Sequence, residues 1–303
     1  MRYGINGSGR MLISGTAGVL EDLRSAEQAG FASYWVAQVG LVDALTLLGA
    51  HGDTGSPMEL GTTVISTWER HPHMLAAQAL TTQALVGERL VVGIGLSHQP
   101  HVEQVLRLPW HKPVRHMVEY LDILQDLLVT GHASYRGETW SFDGEDARPS
   151  PGVPKVMVAA LGEQMLRLAG RRTDGTILWC VGPTTIRTHI APIINDAAAA
   201  ADRPAPAIVC SIPVWVTDDP TPARSFLATI LADYATLPSY RAMMDIEGVE
   251  GLGELSIVGG EEYVRDALGA IEASGATDFT PVPMGGNPDE EARTMAVLQE
   301  AMG

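Results

Sequence analysis

The chain has 303 residues, of which 46% are apolar and 18% are charged, so it can bury a large core. Because α/β barrels of about 250 residues commonly form one domain, we expect a single domain over residues 1–303. The formal charge of −16, from 36 acidic and 20 basic residues, repels the phosphate backbone of nucleic acids and argues against a nucleic-acid partner.

Other features of composition bear on location and metal binding. No apolar run approaches the roughly 20 residues that cross a bilayer, and the start of the chain lacks the apolar stretch of a signal peptide. Cys180 and Cys210 stand far apart without a C-x-x-C pairing, which favours neither a disulfide framework nor a thiolate metal site. We therefore expect a cytoplasmic protein that binds neither membrane nor metal.

Short apolar runs alternate along the chain with longer amphipathic segments, and each pair is typical of a strand followed by a helix. The strands are predicted at residues 3–5, 33–36, 60–65, 90–94, 156–159, 175–179, 207–216 and 277–282. The helices are predicted at residues 19–29, 42–51, 73–86, 114–129, 163–169, 184–201, 222–235 and 261–274. This alternation favours a closed parallel barrel over a doubly wound sheet, which usually stops at about five or six strands.

Two stretches are longer than ordinary loops. Residues 132–154 carry Tyr135, Trp140 and Phe142 around Gly137 and predict a hairpin before the fifth strand. Residues 236–260, rich in glycine, lie before the eighth strand and are a candidate lid.

In a parallel barrel the active site is built from loops at the carboxyl ends of the strands. These loops hold Ser66 to His71 after the third predicted strand and Gly95 to His101 after the fourth. Gly93 and Gly95 match part of a dinucleotide fingerprint whose third glycine is missing, which argues against a nicotinamide site. The histidines of the two loops lack further ligands at metal-binding spacing.

Short segments spread over nearly the whole chain carry a resemblance to a known family. They are LGTTVI at 60–65, RHP at 70–72, RLVVGIG at 89–95, PKVMVAA at 154–160, VGGEE at 258–262 and GATDF at 275–279. In this order and spacing they resemble the luciferase-like family, in particular its branch that uses the deazaflavin coenzyme F420. The resemblance implies a luciferase-like (β/α)8 TIM barrel and a homodimer, and the two long stretches are then insertions before strands 5 and 8.

The resemblance also implies a cis peptide bond between Thr63 and Val64 that supports the middle ring of the bound flavin. The alternative is an ordinary trans strand in which Thr63 fills the barrel. The fourth-strand loop of relatives carries a polar side chain that contacts the cofactor or substrate, and His98 falls at this position. Because histidine titrates near neutrality, His98 is the candidate catalytic residue; the alternative is a hydrogen-bonded surface group.

The phosphate site of the family corresponds to two loops that follow strands and open helices. They are Ala160, Leu161 and Gly162, and Cys180, Val181, Gly182, Pro183 and Thr184; Trp179, which precedes the second loop, is a separate candidate for contact with the cofactor at the pocket mouth, the alternative being ordinary packing. Amide groups at such helix starts bind phosphate. Relatives place a lysine in the second loop, where this chain has Gly182 or Pro183, and a plain helix start is the alternative for this segment.

Relatives that oxidise sugar phosphates carry an Asp-His pair after the second strand, whereas this chain has Ala37 and Gln38. Gln38 can supply only amide hydrogen bonds, so we expect it to contact the cofactor and do not expect that reaction.

The resemblance therefore implies an F420-dependent oxidoreductase that transfers hydride between the deazaflavin and a small organic substrate. Two alternatives remain open: an FMN-dependent monooxygenase of the same family supplied by a separate reductase, and a non-catalytic flavin-binding protein.

Overall fold

The computed structural model describes the backbone of residues 1–303 and every side chain except that of Leu12. Two compact units are formed. The first unit comprises Met1–Trp35 and Ala160–Gly303, and the second comprises Val36–Ala159.

The strands follow the predicted order. They are β1 (Arg2–Asn6), β2 (Ser33–Val36), β3 (Glu59–Thr62), β4 (Ile65–Ser66), β5 (Leu90–Gly95), β6 (His132–Arg136), β7 (Ser141–Glu145), β8 (Lys155–Ala159), β9 (Gly175–Trp179), β10 (Ala207–Ser211), β11 (Pro213–Val216), β12 (Ile257–Gly259), β13 (Asp278–Phe279) and β14 (Val282–Met284).

Helices separate most of these strands. They are α1 (Ser8–Gln28), α2 (Ala44–His51), α3 (Pro72–Leu85), α4 (Pro113–Thr130), α5 (Glu163–Arg172), α6 (Pro183–Thr185), α7 (Ala191–Ala199), α8 (Pro220–Ile230), α9 (Ala232–Ala235), α10 (Pro238–Glu247), α11 (Leu252–Leu255), α12 (Glu261–Glu272) and α13 (Pro288–Glu300), with π-helical turns at His101–Val105 and Ile186–Ile190.

Parallel strands form the core of the first unit in the order β2, β1, β13, β10, β9. The register places Ile5 opposite Tyr34 and Cys210 opposite Leu178. These side chains are buried, as expected for parallel strands that are covered on both faces. A second parallel sheet in this unit has the order β12, β11, β14.

In the second unit, β5 pairs with β8 on one side and with both β3 and β4 on the other. Leu60 of β3 lies opposite Leu90, and Ile65 of β4 lies opposite Ile94. Thus β3 and β4 are successive parts of one barrel strand. The strands β6 and β7 form an antiparallel hairpin, which confirms the hairpin predicted before the fifth strand.

Local sequence explains where several helices begin and end. The Asp43 carboxylate accepts a hydrogen bond of 2.7 Å from the backbone N–H of Thr46 and caps α2. The α4 helix ends at Gly131, whose φ of 79° suits glycine. Asn287 caps α13 by accepting hydrogen bonds from the N–H groups of Asp289 and Glu290.

The order of strands and helices confirms the predicted (β/α)8 barrel, in which β3 and β4 share one position and β13 is the eighth strand. The prediction that two of the strands are continuous was wrong. Residues 60–65 are interrupted after Thr62, and residues 207–216 are interrupted at Ile212. The following Pro213 has no N–H to continue a ladder, and β11 joins the second sheet instead.

The eighth predicted strand, residues 277–282, was also too long, since β13 holds two residues and β14 follows separately. The candidate lid at residues 236–260 contains two helices and a strand, namely α10, α11 and β12. Pro238 occupies the first turn of α10 and Gly248, with φ of 83°, ends it. Residues that indicated a loop therefore mark the ends of a helix.

Candidate functional site

The first group of predicted site residues lies in the second unit, beside β4 and after the end of β5. The peptide bond between Thr63 and Val64 is cis, which confirms the expected bond and excludes the trans alternative. The N–H of Thr63 donates to the carbonyl oxygen of Val36 at 2.9 Å. A Cβ atom on Gly95 would lie 2.7 Å from Cγ2 of Val64, so glycine at this position lets the Val64 side chain lie against the end of β5.

Gln38 lies beside this segment. Its backbone N–H donates to the carbonyl oxygen of Val64 at 3.4 Å, and its side-chain oxygen accepts a 3.0 Å hydrogen bond from the N–H of Ala44. The second unit therefore brings Gln38 and Val64 together, and the amide oxygen of Gln38 already serves the start of α2. A contact of Gln38 with cofactor stays a prediction.

His98 follows β5 and is half-buried. Its carbonyl oxygen accepts from the N–H of Val102 at 3.0 Å, which connects it to the π-helical turn that follows. Burial, together with the nearby His101, lowers the pKa of His98 below its ordinary value of 6.5. The imidazole is therefore neutral at pH 7 and can accept a proton, but its catalytic role stays a prediction.

The segment after β4 contains Trp68, which lies in the predicted loop from Ser66 to His71 and contacts His116, a residue that the sequence did not single out. Trp68 is half-buried and stacks on His116 of α4, with ring centroids 3.8 Å apart. Trp110 packs on Trp68 at 5.2 Å. His116 stands within a predicted amphipathic helix, where its spacing resembles that of any buried helical residue, so no sequence signal distinguished it.

His116 is held by hydrogen bonds at both ring nitrogens. Nε1 of Trp140 donates to Nδ1 of His116 at 3.2 Å, so Nε2 carries the proton and donates to Oγ1 of Thr67 at 2.9 Å. Burial lowers the pKa of His116 to about 4. A neutral, fixed imidazole therefore supports the indole of Trp68.

In the first unit, the loop after β8 contains Ala160, Leu161 and Gly162. Ala160 is buried and Gly162 is exposed at the start of α5. The carbonyl oxygen of Leu161 lies 2.9 Å from Nε2 of His189, which fixes the loop. Gly162 directly precedes α5, and binding of an anion at this helix start stays a prediction.

The loop after β9 contains Trp179, Cys180, Val181 and Gly182. Leu161 and Trp179 pack against a buried apolar cluster that includes Cys180, so the first unit brings the two predicted loops together. The indole Nε1 of Trp179 is buried and has no hydrogen-bond partner among the described residues. Burial raises the pKa of the Cys180 thiol well above its ordinary value, which leaves it protonated and unreactive.

A carboxylate of the chain itself occupies the helix start beyond Gly182. Oε1 of Glu247, at the end of α10, accepts from the N–H of Thr184 at 3.2 Å. Oε2 accepts from the N–H and hydroxyl of Thr185 at 2.7 and 2.8 Å. A Cβ atom on Gly182 would lie 2.3 Å from the carboxyl carbon. Glu247 lies 62 residues beyond Thr185 in sequence, so no local sequence signal indicates this contact.

No group of three or more metal-binding side chains occurs among the residues whose side chains are described. No described helix has the length and apolar character to span a membrane. A cavity of about 290 Å³ lies at the amino ends of β3, β5 and β8, where it is lined by Glu59, Leu90 and Lys155. This is the end opposite to the one where barrels carry their active sites.

Comparison with known proteins identifies the family. A family model for luciferase-like monooxygenases matches residues 6–278. The F420-dependent glucose-6-phosphate dehydrogenase of Beutenbergia cavernae is 31% identical over 224 residues, which cover 67% of this chain and 65% of that protein.

Solved structures agree on the fold. The coenzyme F420-dependent tetrahydromethanopterin reductase of Methanopyrus kandleri superposes with a TM-score of 0.83 at 18% identity, covering 99% of this chain and 97% of that one. The oxygenating constituent of 3,6-diketocamphane monooxygenase from Pseudomonas putida, in complex with FMN, superposes with a TM-score of 0.76 at 16% identity, covering 99% and 96%. On the strength of the family model, which spans nearly the whole chain, this protein belongs to the luciferase-like monooxygenase family.

Proposed function

We propose that the chain is an oxidoreductase that uses coenzyme F420 to transfer hydride to or from a small organic substrate. The observation that carries the proposal is the 31% identity with an F420-dependent dehydrogenase. The FMN-bound neighbour shares only 16% identity and is similar in fold. The FMN-dependent monooxygenase is therefore the second candidate.

The residues at the strand ends fit a cofactor of this kind. Burying an indole N–H without an acceptor destabilises a protein by about 1–3 kcal/mol, and Nε1 of Trp179 is such a group. A deazaflavin or flavin offers carbonyl, hydroxyl and phosphate oxygens as acceptors. In the second unit, half-buried Thr63 and Val64 offer a small, mostly apolar surface suited to a planar ring.

When bound, the deazaflavin supplies two-electron hydride exchange at its C5. The chain's own residues would bind and orient the cofactor and exchange a proton with the substrate. In the second unit, Thr63 and Val64 would contact the ring. In the first unit, the indole N–H of Trp179 would donate to an acceptor of the cofactor, and the loop at Gly162 would bind its anionic part. The neutral imidazole of His98 accepts or returns a proton on the substrate.

The sugar-phosphate chemistry of the 31% identical relative is not part of the proposal. The positions that would hold the Asp-His pair are Ala37 and Gln38. The Gln38 side chain cannot act as a base at neutral pH, and its oxygen caps α2.

The test is a pair of binding titrations under argon, one with F420 and one with FMN, each in oxidised and reduced form. We expect F420 to bind at least about tenfold more tightly than FMN, equivalent to about 1.4 kcal/mol. Tighter binding of reduced FMN, accompanied by oxygen consumption, would establish the monooxygenase instead. Stoichiometric cofactor binding without turnover by any electron donor or acceptor would favour a non-catalytic flavin-binding protein.

Two variants refine the titration. Trp179→Phe retains the aromatic ring and removes the N–H, so we expect the Kd for F420 to rise about five- to tenfold. Trp215→Phe is the matched control, because Nε1 of Trp215 already donates to Glu290 at 2.8 Å. Equal effects of the two substitutions on F420 affinity would contradict the assigned role of Trp179.

A further inference from the structure

The helix that begins after Gly182 directs several hydrogen-bond donors at one anion of the chain itself. The helix α6, the π-helical turn after it and α7 follow one another without a gap, so one helix runs over residues 183–199. The first N–H groups of a helix lack partners within it and lie at the positive end of its dipole. Here the N–H groups of Thr184 and Thr185 and the hydroxyl of Thr185 lie 2.7 to 3.2 Å from the carboxylate oxygens of Glu247.

The negative charge of Glu247 is not balanced by a cation. Among the residues whose side chains are described, its partners are the amide and hydroxyl groups of Thr184 and Thr185, and it pairs with no Lys, Arg or His side chain. The carboxylate also lies close to the buried core, since its charge and burial together raise the pKa of the Cys210 thiol. A second anion at the same point would therefore be repelled.

Glu247 also fills the space at this helix start. Gly182 is buried, and a Cβ atom on it would lie 2.3 Å from the carboxyl carbon and 2.5 and 2.6 Å from the two carboxylate oxygens. The carboxylate thus lies directly against the backbone that precedes the helix. A phosphate group would need the same amides and the same space, so it could bind here only if Glu247 left.

The packing of α10 holds Glu247 in this position. Met244, one turn earlier on α10, is 1% exposed and belongs to the buried apolar cluster that includes Cys180. The carbonyl oxygen of Met243 accepts a 3.1 Å hydrogen bond from the hydroxyl of Thr185, which is a second contact between α10 and the helix start. Displacing the carboxylate would therefore cost these packing contacts as well as its own hydrogen bonds.

We propose that Glu247 is a specificity-determining residue, which fills the anion position at residues 182–185 and so excludes phosphate groups from the start of this helix. The inference goes beyond the proposed function, because it holds for every phosphate-bearing ligand. It also has a consequence for a bound cofactor, whose anionic part would have to lie elsewhere; the loop at Gly162 is the other predicted position.

The experiment titrates the ¹⁵N-labelled whole chain with inorganic phosphate and follows the amide resonances of Thr184 and Thr185. These resonances report binding at this helix start separately from binding at Gly162, whose amide is followed in the same spectra. The unmodified protein is compared with Glu247→Ala, which removes the carboxylate. We expect the Kd measured at Thr184 and Thr185 to be at least about tenfold lower in Glu247→Ala, because the amides and the positive end of the helix dipole become available.

Asp245→Ala is the matched control, because it removes the same charge from α10 at an exposed position that pairs with Arg241. It should leave the phosphate affinity of the unmodified protein unchanged. Glu247→Gln keeps the size of the side chain and removes its charge, so it should also bind phosphate more tightly and keeps the test valid if Glu247→Ala does not fold. Adding Thr185→Val to Glu247→Ala removes one donor and should weaken the phosphate binding of that variant about five- to tenfold.

Equal phosphate affinity at Thr184 and Thr185 in the unmodified protein and in both Glu247 variants, including no binding in any of them, would overturn the proposal. A parallel titration with F420 separates it from the proposed function. If the unmodified protein bound no F420, the proposed function would fail and the phosphate comparison would stand. F420 that shifts the resonances of Thr184 and Thr185 but not that of Gly162 in the unmodified protein would overturn the exclusion and leave the proposed function intact.

Discussion

Glu119 of α4 offers the sharpest test of how the inserted hairpin is attached. The side chain is buried, at 1% exposure. Oε2 accepts from the N–H groups of Thr139 and Trp140 and from the Thr139 hydroxyl at 2.7, 2.9 and 2.6 Å, and Oε1 accepts from the N–H of Glu138 at 3.0 Å. Glu119→Gln would leave one carbonyl oxygen and place an NH₂ group against a donor.

The magnitude follows from the pKa of this carboxyl. Burial by itself would raise the pKa of Glu119, but the hydrogen bonds outweigh burial and lower it from 4.5 to about 2. That difference corresponds to a preference for the ionised form of about 3 kcal/mol. Because the glutamine variant resembles the protonated acid, we expect Glu119→Gln to destabilise the protein by about 3 kcal/mol and lower its Tm by about 5 °C.

Thermal unfolding combined with hydrogen exchange would measure the effect globally and locally. The amides of residues 138–140 should exchange faster in Glu119→Gln, because they lose their acceptor. Glu145→Gln changes an exposed carboxylate of the same hairpin and should alter neither quantity. An unchanged Tm and unchanged protection of residues 138–140 in Glu119→Gln would refute the reasoning.

Three further predictions concern other buried polar contacts. Glu247→Gln removes the charge that caps the helix start after Gly182, and we expect faster proteolysis within residues 232–255, whereas an unchanged cleavage rate would show that α10 is held by apolar packing alone. Arg89→Lys keeps the charge but loses the hydrogen bonds that the guanidinium donates to the carbonyl oxygens of Val86, Met58 and Gly52. Urea unfolding should show that the free energy of unfolding falls by about 2–3 kcal/mol. A decrease below about 0.5 kcal/mol would contradict this expectation. The pKa of His116 is about 4 in the folded protein, against an ordinary value of 6.5. As the pH falls, the unfolded chain therefore takes up a proton before the folded protein does, and the free energy of unfolding should decline between pH 6.5 and pH 4. The same decline in a His116→Gln variant would exclude His116 as its cause.

The alternation of strands and helices was predictable because it follows hydrophobic periodicity, which is local. The interruptions within the predicted strands were not predictable from this periodicity. Residues 207–216 form a mostly apolar run, and β10 and β11 are separated at Ile212 because they pair with different strands and because Pro213 has no N–H to continue the ladder. Similarly, Pro238 and Gly248 have the same propensities at the ends of a helix as in a loop.

The candidate site was predictable to the extent that it depends on position in a barrel. The loops containing His98 and Trp179 follow strands, and the family resemblance gave the cis bond at Thr63. Contacts between residues that are far apart in sequence leave no comparable signal in the sequence. Nothing in the sequence near Gly182 indicates that Glu247 would cap the following helix, and the contact of His116 with Trp68 joins residues 48 positions apart.

The most direct measurement of the cofactor assignment is a competition within crystals of the protein. Crystals soaked in equal concentrations of F420 and FMN would be washed, measured by diffraction, and dissolved for absorbance spectroscopy. The account predicts a deazaflavin ring in contact with Thr63 and Val64 and an F420 spectrum in the dissolved crystals. Ordered FMN at those residues, or a ring bound elsewhere with both residues uncontacted, would contradict it.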